Sequence, residues 1–125
     1  MGRVREAFAG KHVLIVEDEF IIALEAEMTL FSLGATVVGP VTAVRDALAL
    51  IEAADIDAAL LDVNLNGETS LPIADVLQAK HIPFVFVSAV LPADLPQEYR
   101  GRLVRKPAPI EAIVDTLFGD DRPSL

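Results

Sequence analysis

Three carboxylates far apart in the chain, together with one lysine, define the chemistry this sequence can do. Asp62 closes the apolar run Asp57-Ala-Ala-Leu-Leu-Asp62, the acidic triplet Glu17-Asp18-Glu19 follows the run Val13-Leu-Ile-Val16, and Lys106 stands in a lone Lys-Pro step with Pro107. An apolar strand that ends on an acid sets that acid outside the carboxyl end of a sheet, where open α/β folds bind ligands. Crowded carboxylates repel and raise one another's pKa unless a cation neutralises them. A hard divalent ion does so, and Mg²⁺ takes one or two carboxylates together with waters and phosphate oxygens. A carboxylate is nucleophilic at neutral pH without an activating base, so Asp62 is a candidate to attack a phosphoryl group. What remains is charge stabilisation, with the metal on one side and the ammonium of Lys106 on the other. Ser88 can offer its hydroxyl to a phosphoryl oxygen and Asn64 a backbone carbonyl to the metal.

Each piece also has a purely structural reading. Acids after a strand favour a helix N-terminus by ~0.3–1 kcal/mol each. Lys-Pro pairs are common in solvent-facing turns, and a serine at a strand end often bonds its own loop. The chemical reading rests on the order of the pieces and on the elements that hold them.

Short apolar runs alternate with helix-period segments five times, the signature of parallel βα units. Val13–Val16 reads as the first strand, and Phe20–Leu33 as a helix with Ile21, Leu24, Met28 and Phe31 on one face, stopped by Gly34. Thr36–Gly39 is the second strand, and Thr42 can cap a helix whose stripe is Val44, Ala47, Leu48 and Ile51. Ala58–Leu61 is the third strand, followed by a helix from about Pro72 that carries Ile73, Val76 and Leu77 and ends by His81 and Pro83. Phe84–Val87 and Leu103–Arg105 are the last strands, and Ile110, Ile113, Val114 and Leu117 mark the final helix. Between them Pro92, Pro96 and Gly101 break any helical period, which predicts a loop or one or two helical turns.

Strands with almost no polar residues must be covered on both faces. The expected fold is therefore α/β, a doubly wound five-stranded parallel sheet of order 2-1-3-4-5 with its fourth helix shortened or missing. Its switch point lies between strands one and three, so Glu17, Asp18 and Asp62 converge at one crevice. Residues 1–10 read as an N-terminal extension, 11–118 as the domain and 119–125 as a frayed tail.

At 125 residues the chain is one domain, and 53% hydrophobic against 23% charged residues specifies a packed core. A net charge of −9 with no basic stripe excludes direct nucleic-acid binding and anionic membranes and favours protein partners. The longest nearly apolar stretch, Ile82–Leu91, is about half of a bilayer span. There is no cysteine and no secretory h-region, so a cytoplasmic protein is expected. No Gly-x-Gly-x-x-Gly follows the first strand and there is no Walker lysine loop, which disfavours nucleotides. His12 and His81 read as structural.

The strings Val16-Glu17-Asp18-Glu19, Leu60-Leu61-Asp62-Val63-Asn64-Leu65, Val85-Phe86-Val87-Ser88-Ala89 and Val104-Arg105-Lys106-Pro107 resemble, in this order, the receiver domain of bacterial two-component response regulators. The match runs from about Lys11 to Phe118. The resemblance implies a flavodoxin-like receiver fold in which Asp62 accepts a phosphoryl group from a sensor histidine kinase or a histidine phosphotransfer protein. It further implies that Glu17, Asp18, Asp62 and the carbonyl of Asn64 hold Mg²⁺, that Ser88 is the switch hydroxyl, that Lys106 pairs with the phosphoryl group, and that the peptide before Pro107 is cis. Asn64-Leu65-Asn66-Gly67-Glu68 and Pro83-Phe84-Val85-Phe86 are also similar to a narrower group, the small alphaproteobacterial receivers named for a Phe-Ala-Thr-Gly-X-Tyr motif. Here that stretch reads Phe86-Val87-Ser88-Ala89-Val90-Leu91, without the Gly and the Tyr. Leu103 stands where most receivers carry an aromatic three residues before the lysine.

The function expected is a stand-alone phospho-acceptor that works by protein contacts or phosphorelay, with slow self-dephosphorylation and no enzymatic turnover. One alternative is a Mg²⁺-dependent aspartyl-phosphate phosphatase. Such enzymes place a second acid two residues beyond the nucleophile, where this chain has Asn64, which cannot transfer a proton. The other is a receiver-like interaction domain without phosphotransfer.

Overall fold

A computed structural model describes residues 2–89 and 95–119. In chain order these form α1 (Gly2–Phe8), β1 (His12–Val16), α2 (Phe20–Ser32), β2 (Thr36–Val41), α3 (Val44–Ala53), β3 (Ala58–Leu61), β4 (Asn64–Leu65), β5 (Glu68–Thr69), α4 (Leu71–Ala79), β6 (Phe84–Ser88), a 3₁₀ helix (Gln97–Arg102), β7 (Leu103–Arg105) and α5 (Ile110–Phe118). Five strands pair in parallel in the order β2-β1-β3-β6-β7. With the separate antiparallel hairpin β4-β5 set aside, this is the 2-1-3-4-5 order the alternation predicts.

Side chains of successive residues in a strand point to opposite faces, and here both faces are apolar. Val13 and Ile15 pack with Leu30, Leu60, Val85 and Ile113, while Leu14 and Val16 pack with Ala47, Ile51, Leu61 and Leu77. Helices α2 and α5 contribute to the first layer, α3 and α4 to the second.

Four local features add to or change the expectations. Residues 2–8, within the N-terminal extension, form a helix, with Val4 2% exposed and Phe8 fully buried, edge-on to Phe118 at 5.9 Å. On α2 the stripe Ile21, Leu24, Met28 and Phe31 faces solvent, at 62%, 39%, 63% and 77% exposure, and the helix buries Ala23 and Leu30 instead. The reason is that α2 is apolar nearly all round, so periodicity does not choose a face. Thr42 does not cap α3: Ala43 holds the N-cap position and makes no side-chain bond. Finally, the segment after Asp62, to which the periodicity assigns no element, turns back as β4-β5.

Where a fourth crossover helix would lie, the 3₁₀ helix is pinned by Tyr99. Its ring sits edge-on to Phe84 and Phe86 at 5.5 and 5.9 Å, and its hydroxyl donates to Asp75 Oδ1 at 2.6 Å. Burial, with the bond to Asp75 adding to it, pushes the Tyr99 phenol up from its ordinary value. Residues 90–94 of the Pro-rich connection and 120–125 of the tail lie outside the described residues. Among the described residues, no helix is long and apolar enough to cross a membrane.

Candidate functional site

The carboxyl ends of β1, β3, β6 and β7 bring the predicted residues together, because parallel pairing fixes their register. Asp62 follows β3 and its N–H donates to Val16 O at 2.9 Å, which ties it to the end of β1, where Glu17 begins. Lys106 follows β7 and its N–H donates to Ser88 O at 2.8 Å, so the ends of β6 and β7 are joined as well. The Lys106–Pro107 peptide is cis.

At the crevice, one carboxylate oxygen each from Glu17, Asp18 and Asp62 lies within 4.8 Å of the others. Lys106 Nζ donates to Glu17 Oε1 at 3.1 Å and stands 3.9 Å from Asp62 Oδ2. Glu17 is buried, and Lys106 and Asp62 are only 17% and 14% exposed in their side chains. Burial pushes the Glu17 carboxyl up; the Lys106 hydrogen bond opposes this, and the neighbouring charge of Asp62 adds to the rise. Lys106 contacts Glu17 and stands near Asp62, one positive charge beside a cluster of three acids, and the charge left over is what a divalent cation would neutralise. The donors are all oxygens, which suits a hard ion such as Mg²⁺ rather than a soft one.

Asp18 is fixed from a direction the sequence reading did not anticipate. Its Oδ2 accepts the backbone N–H of Asn66, at the tip of the β4-β5 hairpin, at 2.9 Å. The signal was present: Asn66-Gly67 between short strands is the pattern of a two-residue hairpin turn. Asn64 lies on β4 and is exposed, and Ser88 ends β6, buried at 5% exposure. An apolar cleft of about 680 Å³ runs from Glu17, Asp62 and Lys106 between α2 and α5, past Ile22, Leu30, Leu60 and Ile113.

No protein-family model and no curated protein sequence matches the chain. Among solved structures, it is 41% identical to SdrG from Sphingomonas melonis Fr1, with a TM-score of 0.75, covering 89% of this chain and 94% of that one. It is 28% identical to the response regulator PhyR from Brucella abortus, at TM-score 0.77, covering 96% of this chain but 52% of PhyR. A CheY-like response regulator receiver domain from Methylobacillus flagellatus is 28% identical at TM-score 0.71, covering 84% and 93% of the two chains. The strand order, the shared crevice and an alignment at this identity over nearly a whole single-domain receiver agree, and the chain belongs to the response regulator receiver domains.

Proposed function

We propose that Asp62 is the phosphoryl acceptor of a two-component signalling system, charged by a phosphohistidine donor such as a sensor histidine kinase or a histidine phosphotransfer protein. An Asp62 oxygen attacks phosphorus, the new P–O bond forms as the P–N bond to the imidazole breaks, and the departing nitrogen keeps the bonding pair and takes a proton. Glu17, Asp18, Asp62 and the Asn64 carbonyl would hold Mg²⁺, which when bound neutralises the acids and the phosphoryl oxygens. Lys106 lies within reach of Asp62 and can shift its ammonium from Glu17 to the phosphoryl group. Ser88, at the end of the neighbouring strand, offers the hydroxyl.

The observation that carries this reading is the convergence of three acids and one lysine from separate strand ends. The ladder of the hairpin supports Asn64 as a carbonyl donor. Ser70 N–H donates to Val63 O, and hydrogen-bonded and non-bonded pairs alternate in antiparallel strands, so the Asn64 carbonyl points away from its partner Thr69. The partner surface that fits best is the exposed α2 stripe, Phe20, Ile21, Leu24, Met28 and Phe31, which starts two residues after Asp18. Signalling then proceeds through protein contacts in the cytoplasm, as a stoichiometric acceptor rather than a turnover enzyme.

Intact-mass analysis after treatment with phosphoramidate or acetyl phosphate and Mg²⁺ tests this. One phosphoryl adduct per chain, absent in Asp62→Asn, is expected. Sustained phosphate release without an adduct would favour the hydrolase, and neither adduct nor phosphate release the inert domain.

A further inference from the structure

We propose that the Asn66-Gly67 hairpin turn is the positioning element of the cation site, holding one oxygen of Asp18 so that the other is presented to the metal. This rests on the reading of Glu17, Asp18 and Asp62 as a Mg²⁺ site. The Asp18 carboxylate accepts through Oδ2 the backbone N–H of Asn66, 48 residues on and 2.9 Å away. That donor is aimed by the backbone. Asn66 has φ 52° and Gly67 φ 88°, positive at both central positions, as a two-residue type I′ turn requires. The turn is closed by the Leu65–Glu68 pair and anchored at its base by Ser70 N–H on Val63 O at 2.8 Å, with Leu65 and Ser70 buried.

The hairpin therefore links two shells of the site. Val63 and Asn64 follow Asp62 directly, β4 then presents Leu65 to the core, and the turn after it presents the Asn66 N–H to Asp18. A carboxylate has two oxygens, and one that is tied by a backbone donor loses the rotational freedom that metal binding would otherwise have to remove. Such outer-shell partners are worth ~10–100-fold in metal affinity.

Gly67 makes the test clean. A Cβ built there meets nothing within 4 Å, so the strain of a β-branched residue at this position arises from its positive φ rather than from its Cβ. Gly67→Val should weaken Mg²⁺ binding, read by titration of the amide shifts of residues 17, 18 and 62, by about tenfold. Gly67→Asn, which tolerates positive φ, should recover most of that loss. In metal-free protein the Asn66 amide should exchange with solvent slowly, and at least several-fold faster in Asp18→Ala.

Equal Mg²⁺ affinity in Gly67→Val and the natural sequence would overturn the proposal, as would Asn66 exchange that ignores Asp18→Ala. Absence of Mg²⁺ binding in the natural sequence would instead overturn the parent reading of the site, and the metal-free exchange comparison would still decide whether the turn holds Asp18.

Discussion

Glu17 is held between opposing effects: burial and the charge of Asp62 raise its pKa, and Lys106 pulls it down. Because the carboxyl takes up its proton at a higher pH than a free one, protons compete with a bound cation from above the ordinary value of 4.5. Mg²⁺ affinity should therefore fall as pH is lowered through this range. In Lys106→Gln, which removes the lowering partner, the fall should begin at a higher pH; an affinity independent of pH between 7 and 4.5 would count against this picture of Glu17. Asp57 has the opposite sign. The backbone N–H of His12, at 2.7 Å, is the chief cause that holds its carboxyl below the ordinary 3.8. Its contribution to stability is present above 3.8 and is lost as pH falls from there toward the folded-state value. The pair is about half exposed, so Asp57→Asn should cost no more than about 1 kcal/mol at pH 7, a difference that shrinks in urea unfolding as pH falls below 3.8.

The helices differ in how much of them the sequence disclosed. On α3 and α5 the apolar residues are separated by polar ones, and the stripes predicted there, including Ala47, Ile51, Ile113, Val114 and Leu117, are the ones buried. Helix α2 has apolar residues on most of its circumference, so the stripe its spacing suggests faces solvent while Ala23 and Leu30 face the core. Phe31→Ser should thus change stability by less than about 0.5 kcal/mol, measured by denaturant unfolding, while weakening capture by the phosphoryl-donor protein. Helix α1 is only seven residues long, too short to stand by propensity, and is held by tertiary packing alone. Phe8→Ala empties a fully buried site against Phe118 and should destabilise the fold by about 3–5 kcal/mol. A loss below about 1 kcal/mol would contradict this packing of α1 on the domain.

Across the molecule, topology was more legible than surface. The run of apolar strands fixed a parallel sheet, and parallel order then dictated that residues 17, 18, 62, 88 and 106 gather at one edge. What escaped the sequence reading was held by contacts remote along the chain: Phe8 against Phe118, Tyr99 on Asp75, and Asn66 on Asp18 across 48 residues. None of these has a local period to reveal it, although Asn66-Gly67 had a local turn signal. The central claim is that one crevice binds a divalent cation and carries phosphorus on Asp62. A structure determined with Mg²⁺ and beryllofluoride, which mimics a phosphoryl group on a carboxylate, tests it most directly. The account predicts beryllium bonded to Asp62, Mg²⁺ touching Asp18, and Lys106 Nζ moved from its 3.1 Å contact with Glu17 Oε1 onto a fluorine. Lys106 still seated on Glu17, with Asp62 unmodified at saturating beryllofluoride, would contradict it.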